Sequence, residues 1–160
     1  MLDITERLSD GEGIFVGSSS SCLCLVHGET VPSQYVPSRP FRINAGAVHS
    51  YVMMANGSTK YLSELSSGDQ VAVYSGDGLA KIATIGRLKI ERRPLLKVTM
   101  SSENFTGNVI LQQAETVRLV TSSGTAISVT EISSGDEITV LNEEGMRHIG
   151  ISVQGEVTEK

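Results

Sequence analysis

The chain has 160 residues, of which 39% are hydrophobic, so it is long and apolar enough to bury a core as one domain. Its formal net charge is −5, and no patch rich in Lys and Arg stands out, which argues against nucleic acid as a partner. No charged leader with an apolar stretch is present, and no apolar run approaches the ~20 residues that a membrane span needs. We therefore expect a soluble, cytoplasmic protein with no membrane partner.

Short runs of apolar and β-branched residues recur along the chain, separated by Gly, Asn, Ser and Asp turn signals at spacings of about eight to twelve residues. This rhythm predicts an all-β, barrel-like or sandwich-like fold with few short helices, the helical turns falling at 2–8, 62–65 and 129–132. The predicted strands cover residues 14–17, 22–26, 48–54, 70–74, 80–90, 95–100, 108–112, 116–120, 137–141 and 146–153.

An internal repeat relates residues 50–78 to residues 117–145 without a gap, at an offset of 67. Both copies contain a Ser-Ser-Gly-Asp turn, at 66–69 and at 133–136, in which Gly can supply a positive φ and Asp can cap the turn. A β unit this short cannot bury its apolar face alone. The sequence therefore predicts that two pseudo-symmetric repeats pair within a single domain spanning 1–160.

Two cysteines, Cys22 and Cys24, lie two residues apart in an apolar run, so both would point to the same face of a strand. No second Cys pair is present, so the sequence offers no zinc framework. We interpret both residues as buried structural thiols.

Polar side chains are concentrated in residues 39–51, RPFRINAGAVHSY, in a density that neither strands nor helices require. Pro40 separates Arg39 from Arg42, and two guanidinium groups so placed could hold a carboxylate or phosphate bidentately. Asn44 lies in the same segment. Arg92 and Arg93 form a second pair, for which a solvated ion pair with the neighbouring Glu91 is an equal alternative. The segment predicts a site for an anionic small molecule.

His27 and Glu29 alternate with apolar neighbours and would share a face on an extended strand. Such a pair suits a divalent metal, or a carboxylate that orients an imidazole for proton transfer. His49 follows the Asn-Ala-Gly-Ala loop, and the repeat places Thr116 at the matching position with Glu115 directly before it. We therefore expect His27, Glu29 and His49 as catalytic residues, and the same three with Glu115 as metal ligands.

Several segments together resemble the 3-dehydroquinate synthase II family, and the resemblance concerns the C-terminal half of that family only. The matching blocks run through most of the chain: GEGIFVGSSSS, LVHGET, SRPFRINAGAVHSYV, TKYLSELSSGD, IGRLKIERRPLLKV and LQQAETVRLV. The resemblance implies an enzyme of the shikimate pathway and aromatic amino acid biosynthesis, or a related cyclase of secondary metabolism. It also implies that Lys60 falls in a polar block with the residues above, as a substrate-binding residue.

In the family, the archaeal reaction is an NAD-dependent oxidative deamination and cyclisation that forms 3-dehydroquinate, and a bacterial branch cyclises a related C7 precursor with a divalent metal, Mn or Mg. The sequence contains no Gly-x-Gly-x-x-Gly motif after a strand, so we expect NAD only if a missing N-terminal region supplies its site. Three alternatives follow for the chain: an enzyme or enzyme domain of this type, a non-catalytic subunit or scaffold of a split synthase with an N-terminal-half partner, and a stand-alone cyclase. A homo-oligomer is compatible with each.

Overall fold

A computed structural model describes residues 1–143, 146–148 and 151–153, with the last two segments described by their backbone alone. The described chain is almost entirely β-strand, with one short 3₁₀ helix at Leu62–Glu64, so the predicted all-β class is confirmed. The strands are β1 (Leu2–Ile4), β2 (Gly13–Ser19), β3 (Cys22–His27), β4 (Arg42–Ile43), β5 (Tyr51–Met53), β6 (Thr59–Tyr61), β7 (Gln70–Ser75), β8 (Gly78–Leu88), β9 (Leu95–Ser101), β10 (Thr106–Gln112), β11 (Arg118–Val120), β12 (Ala126–Ser128), β13 (Val140–Asn142), β14 (Met146–His148) and β15 (Ile151–Val153).

The central element is the β2–β3 hairpin, which pairs antiparallel from Gly13–His27 to Ser19–Cys22. Around it runs one large sheet in the order β12, β11, β3, β2, β7, β8, β1, β4, with β13 added to β3 and β5 added to β2. Every strand pairing in this sheet is antiparallel. Strand β4 does not return to β12 within the described residues, so the barrel is not closed.

Both faces of the central hairpin are buried. Alternate residues of β2 and β3 point to opposite faces of a sheet, and the main core takes Val16, Cys24 and Val26 while a second cluster takes Phe15 and Leu25. A separate two-stranded sheet, β9–β10, packs on the main-core side and contributes Val109 and Leu111 to that core. The near-continuous apolar sequence of β3 follows from this burial on two sides.

The two thiols lie in this core and are unpaired with each other. Burial raises the pKa of Cys24 to about 12 and also raises that of Cys22. The Cys24 thiol donates to the Val16 carbonyl oxygen at 3.5 Å. These are the properties of inert structural thiols.

Residues 50–78 and 117–143 have matching backbone hydrogen bonds. In the first, Gly57 N–H donates to Met54 O at 3.1 Å, and in the second Gly124 N–H donates to Thr121 O at 3.0 Å. The two glycines have φ of +79° and +80°. The first copy pairs with β2 through β5, and the second pairs with β3 through β11. Residues 144–145, which end the second predicted copy, lie outside the described residues.

Several predicted boundaries are wrong. Residues 2–4 form a strand rather than a helical turn, because Leu2 pairs with both Leu88 of β8 and Ile43 of β4 and is buried between them. The predicted strand 146–153 is a pair of short antiparallel strands, β14 and β15. Strand β4, of two residues, was not predicted. Among the described residues, no helix has the length and apolar character to cross a membrane.

Candidate functional site

Two adjoining cavities open on one side of the sheet. The larger, with a volume of ≈ 650 Å³, is here called the apolar cavity because aliphatic side chains make up most of its wall. The smaller, of ≈ 290 Å³, is called the polar cavity. Residues of both walls are Met1, Asn44, Lys89, Glu91, Arg93 and Gln112. The shared wall makes the two cavities neighbouring parts of one site.

This site forms where the segments that lead into the two repeats meet. Asn44 Nδ2 donates to Gln112 Oε1 at 2.7 Å, and Ala47 N–H donates to Ile110 O at 3.0 Å. Gly46 has a φ of +110°, and a Cβ at this residue would collide with the Ile110 carbonyl oxygen. The glycine in the Asn-Ala-Gly-Ala loop is therefore needed for the close approach of the two segments.

Arg39 and Glu29 form one wall of the polar cavity. The two residues face each other in an isolated antiparallel bridge, and Arg39 Nη1 lies 3.4 Å from Glu29 Oε2. The Glu29 side chain is buried, whereas 39% of the Arg39 side chain is exposed. Burial raises the pKa of Glu29, and the opposing influence of Arg42 and Arg39 is smaller. A partly desolvated carboxyl group thus lies in the wall of a cavity that also carries cations.

Arg42 is held from behind by Asp3. Its Nε and Nη2 donate to the two Asp3 carboxylate oxygens at 2.7 and 2.9 Å, a bidentate geometry that fixes the guanidinium plane. Arg87 also donates to Asp3, with its Nε at 2.8 Å. The hydrogen bond from Arg42 lowers the pKa of Asp3, which keeps this carboxylate ionised. Arg42 therefore lines the polar cavity in a fixed orientation.

Glu91 pairs with two cations at the wall shared by the cavities. Its Oε1 lies 2.8 Å from Lys89 Nζ, and its Oε2 accepts from Arg93 Nε at 2.9 Å and Nη2 at 2.6 Å. These hydrogen bonds, from Lys89 and then Arg93, lower the pKa of Glu91 to about 2. The cationic side chains in the polar wall are those of Arg39, Arg42, Lys89 and Arg93, and the acidic side chains are those of Glu29 and Glu91, so cationic side chains outnumber acidic ones by two.

His49 and Arg92 lie in the wall of the apolar cavity, and both are exposed. Together with the polar wall, this places seven of the predicted site residues around the two cavities. They are Glu29, Arg39, Arg42, Asn44, His49, Arg92 and Arg93.

Three predicted site residues lie elsewhere. His27 is buried with both ring nitrogens engaged by backbone: Nε2 accepts from Gly11 N–H at 2.9 Å, and Nδ1 lies 2.5 Å from Gly28 O. Lys60 donates to both carboxylate oxygens of Asp69 at 3.1 Å on the repeat surface. Glu115 is exposed and lines neither cavity.

These placements bear on the predicted metal set. Among the described residues, no group of three or more His, Cys, Asp or Glu side chains is arranged to hold a metal ion. His27 has no ring nitrogen left for a ligand, because a neutral imidazole has one donor and one acceptor and both are used. The metal set predicted from the sequence, His27, Glu29, His49 and Glu115, is not gathered as such a group among the described residues, and a metal site stays a prediction.

Several cavity residues were not predicted, among them three polar side chains of the polar wall. Gln112 and Thr116 belong to the segment before the second repeat, and Lys89 follows β8. The alignment of the repeats did carry a signal, because it matches Thr116 to His49, and each of the two lines one of the cavities. Lys89 and Gln112 could be found only from the fold, which places both in the wall of the polar cavity.

Comparisons with known proteins agree with the resemblance noted in the sequence. The family model described as the 3-dehydroquinate synthase II C-terminal domain matches residues 1–160. Over 159 residues, the chain is 46% identical to the "3-dehydroquinate synthase" of Methanoculleus marisnigri and 47% identical to the "3-dehydroquinate synthase homolog" of Aquifex aeolicus. Each match covers 99% of this chain and 48% of the relative, so the chain spans about half the length of these relatives. No solved structure matches. The chain belongs to the 3-dehydroquinate synthase II family, in which it corresponds to the C-terminal domain.

Proposed function

We propose that this chain is the substrate-binding part of an enzyme of the 3-dehydroquinate synthase II type, acting on a polar, anionic C7 amino-sugar-acid-like metabolite. The observation that carries the proposal is the convergence of Arg39, Arg42, Lys89 and Arg93 on one polar cavity. Arginine and lysine around a concave site are the groups that recognise carboxylates and phosphates. A cavity of ≈ 290 Å³ suits a small metabolite, since pockets for drug-sized ligands begin at about 300 Å³.

The contacts in the wall suggest a role for each residue. Arg42 is preorganised by its bidentate bond to Asp3, so it would hold an anion at little entropic cost. Arg39, with one 3.4 Å contact to Glu29, is free to turn toward a bound carboxylate. Asn44 and Gln112 offer an amide pair for hydroxyl groups. Arg93 would add a second cation at the shared wall.

Glu29 is the residue that we propose for proton exchange. Its carboxyl group is buried in the wall of the polar cavity, and burial raises its pKa above its ordinary value, which makes the protonated form easier to reach than in water. His49 and Arg92 line the adjoining apolar cavity and lie outside the wall of the polar cavity. His27, Lys60 and Glu115 have no part in this proposal because each lies away from the cavities or is fully engaged elsewhere.

The cofactors of the family do not fit the described residues of this chain alone. A divalent metal needs a convergent donor set, and no such set of three is found there. The pyrophosphate of NAD is commonly held by a glycine-rich loop at a helix N-terminus, and the described residues contain no α-helix. The roles proposed for this chain are therefore limited to anion binding and proton exchange by its own side chains.

A second candidate function is the role of a subunit in a split synthase. In such a synthase a separate partner would supply the region that corresponds to the other half of these relatives, of whose length this chain spans about half. The stand-alone cyclase is the third candidate, favoured by the completeness of the polar wall. Turnover to 3-dehydroquinate by the chain alone, and after addition of the N-terminal region of a relative, would distinguish these candidates.

Binding of 3-dehydroquinate to the purified chain, followed by calorimetry and NMR, tests the proposal. We expect Arg39→Ala to weaken binding by about tenfold or more, because it removes a charge-assisted hydrogen bond of about 1.5–3 kcal/mol. Lys60→Ala is the matched control, since 40% of its side chain is exposed and it has one carboxylate partner, as in Arg39. Equal loss in both variants, or no binding by the parent chain, would contradict the proposal.

A further inference from the structure

We infer that the apolar cavity is the docking surface for the N-terminal region of a 3-dehydroquinate synthase II, which would cover the polar cavity from this side. The inference rests on the proposed function only for the identity of the partner. Its first support is the mismatch between this cavity and a small polar metabolite. The apolar cavity has more than twice the volume of the polar one, ≈ 650 against ≈ 290 Å³, and much of its wall is aliphatic, including Leu2, Ala45, Leu88 and Ile110.

The second support is the exposure of large apolar side chains in the cavity wall. Three large apolar side chains of this wall are exposed: Val48 by 47%, Ile90 by 67% and Leu95 by 49%. They come from three different segments of the chain. Apolar side chains that converge from separate segments on one concave surface are typical of a protein interaction site. Arg92 gives this surface a charged rim. The combination of an apolar centre with a polar rim is the usual composition of an interface.

The third support is the position of this surface relative to the rest of a full-length relative. The matched part is about half of each relative and corresponds to the C-terminal domain, so the remaining region precedes it. In this chain, Met1 lines both cavities, and Leu2 is fixed by its pairing with Leu88 and Ile43. The preceding region of a relative is therefore joined at the edge of the apolar cavity. Ligand sites commonly lie where two domains meet.

A capture experiment without substrate tests the inference separately from the proposed function. The tagged chain is co-expressed with the N-terminal region of the Aquifex aeolicus relative, and we expect the two to co-purify at a ratio of one to one. Ile90→Asp and Leu95→Asp each place a charge in the interface, and we expect each to weaken binding by about tenfold or more. Leu79→Asp is the matched control, because Leu79 is 60% exposed on the β7–β8 hairpin and lines neither cavity.

Any of the following results would overturn the inference. They are failure of the parent chain to capture a soluble N-terminal region, equal weakening by Leu79→Asp, and full binding by both Ile90→Asp and Leu95→Asp. If the chain alone forms a dimer that Ile90→Asp dissociates, the occupant is a second copy and the inference is also wrong. Binding of 3-dehydroquinate without capture would leave the proposed function standing and refute the docking surface.

A fused chain keeps the test decisive if the N-terminal region does not fold separately. In the fused chain, the N-terminal region of the Aquifex aeolicus relative is joined directly before Met1. The hydroxyl-radical labelling of the fused chain is then compared with the labelling of the free chain. We expect labelling of Val48, Ile90 and Leu95 to fall severalfold in the fusion, with Leu79 and Ile82 unchanged. Unchanged labelling of the first three residues would overturn the inference.

Discussion

The two repeat copies have the same local hydrogen bonds but different surroundings. In both copies the Asp of the Ser-Ser-Gly-Asp turn accepts from the first Ser N–H, at 2.9 Å for Asp69 and 2.7 Å for Asp136. In the first copy, Lys60 also donates a hydrogen bond to this Asp, whereas the second copy contains no lysine. The cavity residues His49 and Thr116 lie just before the copies rather than inside them. The repeats are therefore a scaffold, and the polar site belongs to the segments that lead into them.

The largest expected effect comes from separating these two lead-in segments. Gly46→Ala should lower the free energy of unfolding by about 3 kcal/mol, because it combines a positive φ with a collision against Ile110 O. Gly124→Ala is the control: it has a similar positive φ, but no atom lies within 4 Å of the added Cβ, so the loss should be about 1 kcal/mol. Urea unfolding of both variants measures the difference. If both variants lose the same unfolding free energy, the collision of the added Cβ with Ile110 O does not contribute to the loss, and the prediction is wrong.

The next prediction concerns the pH dependence of stability, which should depend on the buried His27 and not on His49 at the cavity. Burial lowers the pKa of His27 below its ordinary value of 6.5. The stability that neutral His27 contributes is therefore present above about pH 6.5 and is lost as the pH falls through the folded pKa. The slope is at most about 1.4 kcal/mol per pH unit for one proton.

Unfolding free energies measured between pH 7.5 and pH 5.5 test this prediction. His27→Gln should remove its part of the slope, whereas His49→Gln, which changes an exposed side chain, should leave the slope unchanged. A parent slope that survives His27→Gln would show that other groups cause it. Glu29 acts in the opposite direction, since its raised pKa makes stability fall as the pH rises above 4.5.

A smaller effect tests the equivalence of the two turns. Asp69→Ala and Asp136→Ala should each cost about 1 kcal/mol of stability, because each removes one side-chain acceptor from a turn N–H. Thermal and urea unfolding of the two single variants should give losses that agree to within about 0.5 kcal/mol. Any excess loss in Asp69→Ala is expected from its ion pair with Lys60. A loss in one variant alone would mean that the copies differ in their contribution to folding.

The smallest effect isolates that ion pair. Lys60→Gln should change stability by less than about 0.5 kcal/mol, because the pair with Asp69 is solvent-exposed and screened by salt. Double-mutant analysis with Asp69→Ala at low and high salt measures the interaction energy. An interaction above about 1 kcal/mol would contradict the surface character of the pair.

Local sequence patterns predicted much of the sheet, because strands such as β2, β3 and β7 have continuous apolar runs bounded by turn residues. Strand β1 escaped prediction since its three residues are fixed by partners 39 to 86 positions away, Ile43 and Leu88 among them. The same limit applies to the site. Arg39, Arg42 and Asn44 are close in sequence, whereas Lys89 and Gln112 reach the cavities only through long-range packing.

His27 is the clearest case of a role that the local sequence could not predict. Its spacing from Glu29 indicated a shared role, but nothing local shows that Gly11 would supply an N–H to its ring. The backbone partners of the imidazole come from the turn before β2 and from the residue that follows β3. A histidine pattern in a β-strand therefore cannot distinguish a ligand from a side chain that joins two backbone segments.

The buried pair Cys22 and Cys24 makes the centre of this fold measurable. With their pKa values raised and their side chains in the core, both thiols are protected from alkylating reagents while the central hairpin is closed. The rate at which a thiol reagent labels them therefore reports how often the packing around β3 opens, without any engineered probe. Partner binding or a bound anion would slow that labelling to the extent that it stabilises the whole sheet.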